Sequence, residues 1–240
     1  CLGGRVTALV TLRGMAKSDS SRLLRAMRDE GLLETVGESK RYRPSLLLNQ
    51  VANLYSFAAS LNDGANAVVG DISDRIGHTG YVSVRRGTDI VAVTAHPGRH
   101  ALRVVTSIGD RIPAFASSTG RALLARLPDD EVRTLYPAGF TSPSETAPRD
   151  MGDLLDRLAQ IREEGFAESR DEAVRGVRAL SVAVGDPATG DEVALCLSFP
   201  AATVEPAERV AIIRLLGEGA AGIAALTHDS RFYPLNISTP

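Results

Sequence analysis

The chain has little cysteine, and its two copies, Cys1 and Cys196, are too few and too far apart for a disulfide framework. That scarcity favours a reducing compartment, and a cytoplasmic protein is expected. No run approaches the roughly 20 apolar residues that span a bilayer. No signal-peptide pattern opens the chain, so no membrane partner is expected. The sequence starts at Cys1 without a methionine, and the natural N-terminus is expected to lie outside it. No internal repeat is visible. Neither a nucleophile–base pair nor paired carboxylates stand out, which argues against an enzyme. No cofactor and no metal are expected.

A chain of 240 residues suffices for one large or two modest domains. With 44% hydrophobic and 23% charged residues, it has cores to bury. The net charge of −2 hides an asymmetry. Residues 1–60 carry nine Lys and Arg against five Asp and Glu, whereas the rest carries eighteen against twenty-four. A small basic part on a larger acidic one suits a polyanion-binding module attached to something that does not touch the polyanion.

Residues 14–42, GMAKSDSSRLLRAMRDEGLLETVGESKRY, organise the basic part. Lys17, Ser18 and Asp19 open a helix, with Ser18 as N-cap and Asp19 at the positive end of the dipole. Leu23, Leu24 and Met27 are expected on one face, with Ser20, Ser21, Arg22, Arg25 and Arg28 over the remainder. Gly31 stops the helix. Leu32, Leu33 and Val36 read as a short strand, Gly37 to Ser39 as a turn, and Lys40, Arg41, Tyr42 and Arg43 as a basic returning strand. This is the order of a winged helix-turn-helix. Small polar residues at a helix N-terminus let the backbone approach base edges in the major groove, while arginine and lysine neutralise phosphate. The competing reading is a solvated amphipathic helix that happens to carry arginines.

Residues 5–13 make a short helix at best, and the helix that normally precedes it is expected to be cut away. Pro44 ends the wing. Residues 45–61 carry Leu47, Val51, Leu54, Ala58 and Leu61 at helical spacing and read as a linker helix. Residues 62–76 form an amphipathic helix, followed by strands at 80–85 and 89–94 around a turn at 86–88. A further strand is expected at 102–105. Helices follow from Ser118 to Leu127 and from Asp129 to Leu135, then a loop at 137–148. After a helix at 150–164 come strands at 177–184 and 192–199 around a turn at 186–190. A closing helix runs over 206–226 with Pro206 in its first turn. The tail from Thr227 onward is expected to be poorly ordered. The fold class is α+β, an antiparallel sheet flanked by helices.

Three blocks of the second part, PAFASSTGRALLARL (113–127), GFAESRDEAVRGVRALSVAV (165–184) and ALCLSFP (194–200), stand behind Arg22, Leu23 and Leu24 and the Lys40–Arg41–Tyr42 wing. In that order and spacing the chain resembles the IclR family of bacterial transcription regulators over nearly its whole length. The resemblance implies a winged helix-turn-helix over 1–44, incomplete at its start. It also implies a linker helix over 45–61 and a GAF-like α+β effector-binding domain over 62–240. Implied partners are a double-stranded DNA operator, a small-molecule effector such as an organic or aromatic acid, and further copies in a homodimer or homotetramer. The implied effector pocket comprises Ser118, Thr119, Ser169, Ala179, Cys196 and Ser198, with Val104, Ile112 and Val177 on its apolar side. The implied DNA contacts are Lys17, Ser18, Asp19, Ser20, Ser21, Arg22, Arg25, Lys40 and Arg41. Family members that bind small, highly polar acids tend to carry an acidic residue where Ser169 stands and a cysteine or polar residue where Ala179 stands. The lining here points to a more apolar effector. Free N–H groups at Ser118 and Thr119 suit its carboxylate.

Cys196 sits inside an apolar strand with no adjacent histidine, so a buried pocket thiol is favoured over a nucleophile. His96 and His100 are four apart, but the intervening Pro97 and Gly98 exclude a shared helical face and argue against a metal. The rival function is a small-molecule sensor whose N-terminal module serves only dimerisation.

Overall fold

A computed structural model describes residues 4–5, 17–35, 41–47, 60–104 and 106–236. It divides into two compact units, Cys1–Ser60 and Leu61–Pro240. In the first unit, β1 (Gly4–Arg5), helix α1 (Lys17–Asp29), β2 (Leu33–Thr35) and β3 (Arg41–Pro44) form one helix and a three-stranded antiparallel sheet in the order β1-β3-β2. Leu33 faces Pro44 and Thr35 faces Tyr42.

Several expectations change here. Helix α1 already includes Lys17, so Ser18 lies in its first turn rather than capping it. Arg5 pairs with Arg41 in a strand instead of opening a helix, because backbone pairing outweighs a weak local preference. The rest of that expected helix, the wing turn with Lys40, and most of the linker helix lie outside the described residues. Ser20 is fully buried one turn before the buried Leu24, while Leu23 is 45% exposed. The inward face is therefore set by positions 20 and 24, and Ser20 is not available to solvent.

The second unit opens with α2 (Ser60–Ile76), then β4 (Thr79–Arg86), β5 (Asp89–His96) and β6 (Arg111–Pro113). Helices α3 (Ser118–Leu124), α4 (Asp129–Leu135) and α5 (Met151–Glu164) follow, then β7 (Ala167–Arg170), β8 (Val177–Asp186), β9 (Asp191–Pro200) and α6 (Pro206–Thr227). The six strands form one antiparallel sheet in the order β6-β5-β4-β9-β8-β7. The fold is α+β.

Period-two alternation gives the sheet two unlike faces. Leu180, Val182 and Val184 of β8, with Val193, Leu195, Leu197 and Phe199 of β9, bury their bulk against Val69 and Ile72 of α2 and Ile212, Ile213 and Leu216 of α6. The residues between them are small: Ala179, Ser181 and Ala183, then Ala194, Cys196 and Ser198. At one end of that second face Ala194 joins a core with Phe115, Leu123, Leu154 and Leu158. At the other end the small side chains leave a hollow.

Residues 102–104 are irregular rather than a strand, and the sheet edge is instead β6, pairing Ile112 with Ile90. Helix α6 holds an 18-residue stretch with a mean hydropathy of 1.6, long and apolar enough to cross a membrane by length and composition, contrary to the expectation of no such run. Arg214 and Glu218 interrupt the run in the sequence, and its apolar side is core. The tail also departs from expectation. Asp229 is buried, Leu235 packs on the α2–α6 core, and the Asn236 N–H donates to the Glu164 carbonyl at 3.0 Å.

Candidate functional site

The hollow on the small-residue face is a cavity with Tyr81 and Ser83 of β4, Ile90 and Ala92 of β5, and Ala179, Cys196 and Ser198 of β8 and β9 on its walls. Val104, Thr106, Ile112, Ser117, Ser118, Thr119, Ser169, Glu172, Ala173, Val174 and Val177 complete it. All nine residues assigned to the pocket from sequence thus line one space. The other lining residues come from strands and a segment that the three motif blocks only partly cover. Their signal in the sequence is alternation, since Ser83 and Ala92 are the small partners of Val82, Val84 and Val91. The cavity has a volume of about 80 Å³. One water needs roughly 10–15 Å³ by that measure, so there is room for a small organic molecule.

Strand register explains the polar lining. Ser169, Ala179 and Ser198 form one cross-strand row, and Ser181, Cys196 and Tyr81 form the next. In the second row the hydroxyls are satisfied from outside the row. Ser181 Oγ lies 2.9 Å from Ser118 Oγ and 3.2 Å from Thr119 Oγ1. Burial pushes the Cys196 thiol above its usual range, against the weaker pull of the Ser181, Thr119 and Ser118 hydroxyls. A buried, protonated thiol among hydroxyls is a poor nucleophile. The Tyr81 hydroxyl accepts from the Thr106 N–H at 2.7 Å and donates to the Val104 carbonyl at 3.3 Å, which fastens that connection over the floor. Burial raises its pKa. In the outer row, by contrast, Ser169 and Ser198 hold no hydrogen bond among the described residues, and Ser198 is 6% exposed. Those hydroxyls open into the cavity.

Helix α3 is placed by a close approach. A Cβ on Gly120 would lie 2.1 Å from the Ala114 carbonyl oxygen, so no larger residue allows this packing. Ser117 caps α3 through the Gly120 N–H at 3.1 Å, and among the described residues the N–H groups of Ser118 and Thr119 are the free donors of the first turn.

Residues 57–225 match the family model of the bacterial transcriptional regulator IclR C-terminal domain. The chain belongs to the IclR family. It is 28% identical over 207 residues to the HTH-type transcriptional regulator XynR of Escherichia coli K12, covering 85% of this chain and 81% of that protein. It is 24% identical over 198 residues to the transcriptional repressor IclR of the same organism, covering 81% and 72%. Among solved structures, the fold matches an IclR transcriptional regulator from Alicyclobacillus acidocaldarius with a TM-score of 0.78 at 20% identity, over 94% of this chain and 91% of the other. It matches the Thermotoga maritima IclR with a TM-score of 0.70 at 18% identity, over 94% and 91%.

The first unit of this IclR-family chain presents the other group of expected residues. Ser18, Asp19, Arg22 and Arg25 are exposed along α1, and Ser21 is half-buried. Arg22 makes a 3.8 Å contact with Asp19, and the Arg25 guanidinium donates to the Ser21 carbonyl at 3.2 Å. Arg41 is exposed on β3, while Ser20 points inward with its hydroxyl unpaired among the described residues. His96 and His100 of the second unit meet polar atoms rather than each other. His96 lies 2.8 Å from the Asn66 amide oxygen, and His100 lies 3.1 Å from the Ile76 carbonyl. Among the described residues no cluster of three or more His, Cys, Asp and Glu could hold a metal ion.

Proposed function

We propose that the protein is a cytoplasmic, DNA-binding transcription regulator whose operator affinity is set by a small organic molecule held in the cavity. The observation that carries the effector half is the cavity itself, where apolar walls meet the hydroxyls of the half-buried Ser169 and the buried Ser198. An organic acid with an aliphatic or aromatic body fits this lining. Its polar end would meet Ser169, Ser198 and the N–H groups of Ser118 and Thr119, and its carbon skeleton would lie on Val104, Ile112 and Val177.

The DNA half is supported by the relatives, of which XynR carries the name of an HTH-type transcriptional regulator and IclR that of a transcriptional repressor, and by the arrangement of the first unit. In this reading α1 is the recognition helix of a winged helix-turn-helix. Its basic wing runs into β3, and residues 45–61 link it to a GAF-like effector domain. Lys17, Ser18, Asp19, Ser21, Arg22 and Arg25 face the major groove, with Lys40 and Arg41 on phosphate. Two copies in a dimer, alone or paired into a tetramer, read two half-sites.

Isothermal titration against a panel of aliphatic and aromatic acids tests the cavity, and a gel-shift assay at stated salt tests the DNA half. Binding of at least one acid is expected, and silence across the whole panel removes the effector assignment. Effector binding with no duplex binding at any salt would leave only a sensor whose first unit serves dimerisation.

A further inference from the structure

Between β7 and β8 the chain leaves the sheet for six residues, 171–176, and folds over one side of the cavity. Glu172, Ala173 and Val174 form that side. The excursion is drawn together at its neck. The Asp171 N–H donates to the Val177 carbonyl at 2.9 Å, and the Asp171 carboxylate accepts from the Gly176 N–H at 2.6 Å. Both neck residues stand at positive φ, 58° at Asp171 and 80° at Gly176, a region that disfavours side chains.

One side chain fastens the middle. Glu172, with 6% of its side chain exposed, receives both prongs of the Arg121 guanidinium, with Nη2 at 3.0 Å from Oε1. Arg157 adds a contact at 3.5 Å. Arg121 is itself 2% exposed and lies on α3, the helix whose first residues also line the cavity. The outermost side chain of the segment, Val174, is 53% exposed. The segment therefore rests on a closed neck, on the Arg121 and Arg157 contacts to Glu172, on the Thr146 hydroxyl and the Ala201 N–H that donate to the Asp171 and Gly176 carbonyls at 2.8 Å, and on Ala173 against the core beside α3.

We propose that residues 171–176 are the gate of the cavity, and that the Glu172–Arg121 pair is its latch. A ligand enters and leaves when the pair parts, and its closure holds the segment shut over the bound molecule. A buried ion pair suits a latch because the hydration both ions regain on opening offsets most of their attraction. The strands on either side stay paired, so the opening is local. The biological purpose of the gate rests on the effector reading above. The gate itself does not.

Cys196 on the cavity wall reports the opening. Full-length protein is treated with iodoacetamide, and peptide mapping by mass spectrometry separates Cys196 from Cys1. The parent should label slowly at Cys196, with a rate that stays flat at low urea because a local opening exposes little surface. Glu172→Gln should raise that rate roughly ten-fold or more at the same pH. Gly176→Ala provides the second arm. A Cβ there meets nothing within 4 Å, so it strains the neck and leaves the latch intact, and it too should speed labelling. Three results would overturn the gate: parent labelling as fast as an exposed thiol, unchanged rates in both variants, or a rate that follows the global unfolding curve in urea. Neither effector nor DNA enters the assay. Failure here leaves the effector reading standing, and a silent acid panel leaves a gated cavity.

Discussion

Arg126 and Asp229 stand 103 residues apart and meet with 1% of each side chain exposed, Nη2 to Oδ1 at 2.9 Å. Arg126 also holds Glu192 at 3.0 Å and the Arg231 carbonyl at 3.1 Å, so the pair ties the tail to α3's end and to β9. Removing one partner strands a buried charge. Asp229→Ala should therefore cost on the order of 3–5 kcal/mol in urea unfolding. The same carboxyl sets a pH dependence. Burial is the largest single influence and pushes it up, but the Arg126 guanidinium and the N–H groups of Gly185 and Arg231 outweigh that and hold it below 3.8. Glu168 behaves likewise, with burial opposed by Arg209 and Arg178, and is held below 4.5. The unfolded chain therefore takes up these protons at higher pH than the folded one. Their stabilisation is complete above about pH 5 and is lost as pH falls through the lowered folded values. A urea midpoint that stayed constant from pH 6 to below pH 4 would contradict this pairing. None of it is visible locally in the sequence. The tail reads as loose because its partners lie on distant elements.

At the scale of elements, alternation was the readable signal. The run from Val177 to Val184 shows large and small side chains by turns, and the structure sorts them onto opposite faces of β8. Short pieces were not readable. β6 has three residues and β7 four, too few for a period to register, and each is held by its neighbour strand alone. The inward face of α1 was misread for a related reason, since Ser20 rather than Leu23 sits beside Leu24 once the sheet packs beneath. Seven of the nine candidate pocket residues stand inside motif blocks and Val104 and Ile112 do not, whereas Glu172 and Val174 stand inside a block yet matter only through the excursion that places them. Two substitutions test the sorting. Leu195→Ala should cost about 2–5 kcal/mol, because Leu195 is fully buried between β9 and the helices. Ala179→Leu, on the neighbouring strand β8 and the opposite face, grows into the cavity and should change stability by about 1 kcal/mol or less. It should nonetheless abolish calorimetric binding of whichever acid the parent takes. Equal losses of stability in both variants would mean that the hollow is ordinary core.

For the whole molecule, the unequal division of charge decides how association with DNA should respond to salt. Phosphate contacts release counterions, so affinity should fall by orders of magnitude between about 50 and 200 mM salt. Arg22, with 81% of its side chain exposed and only a long contact to Asp19, has little structural work to lose. Arg22→Ala should weaken binding and make the logarithmic salt slope shallower by about 0.9 for each phosphate contact removed. Binding that did not change with salt would defeat the recognition-helix reading. Control by the effector imposes a stricter test. A ligand shifts DNA affinity only by its different affinities for two states of the protein, and linkage makes the effect reciprocal. If a panel acid changes operator affinity by some factor, within the roughly 5–150-fold usual for such coupling, operator DNA must change acid affinity by the same factor. Titrating the acid with and without saturating operator measures the second factor directly. Two unequal factors, or an acid affinity indifferent to operator while the gel shift responds, would mean that the acid acts elsewhere than through the cavity.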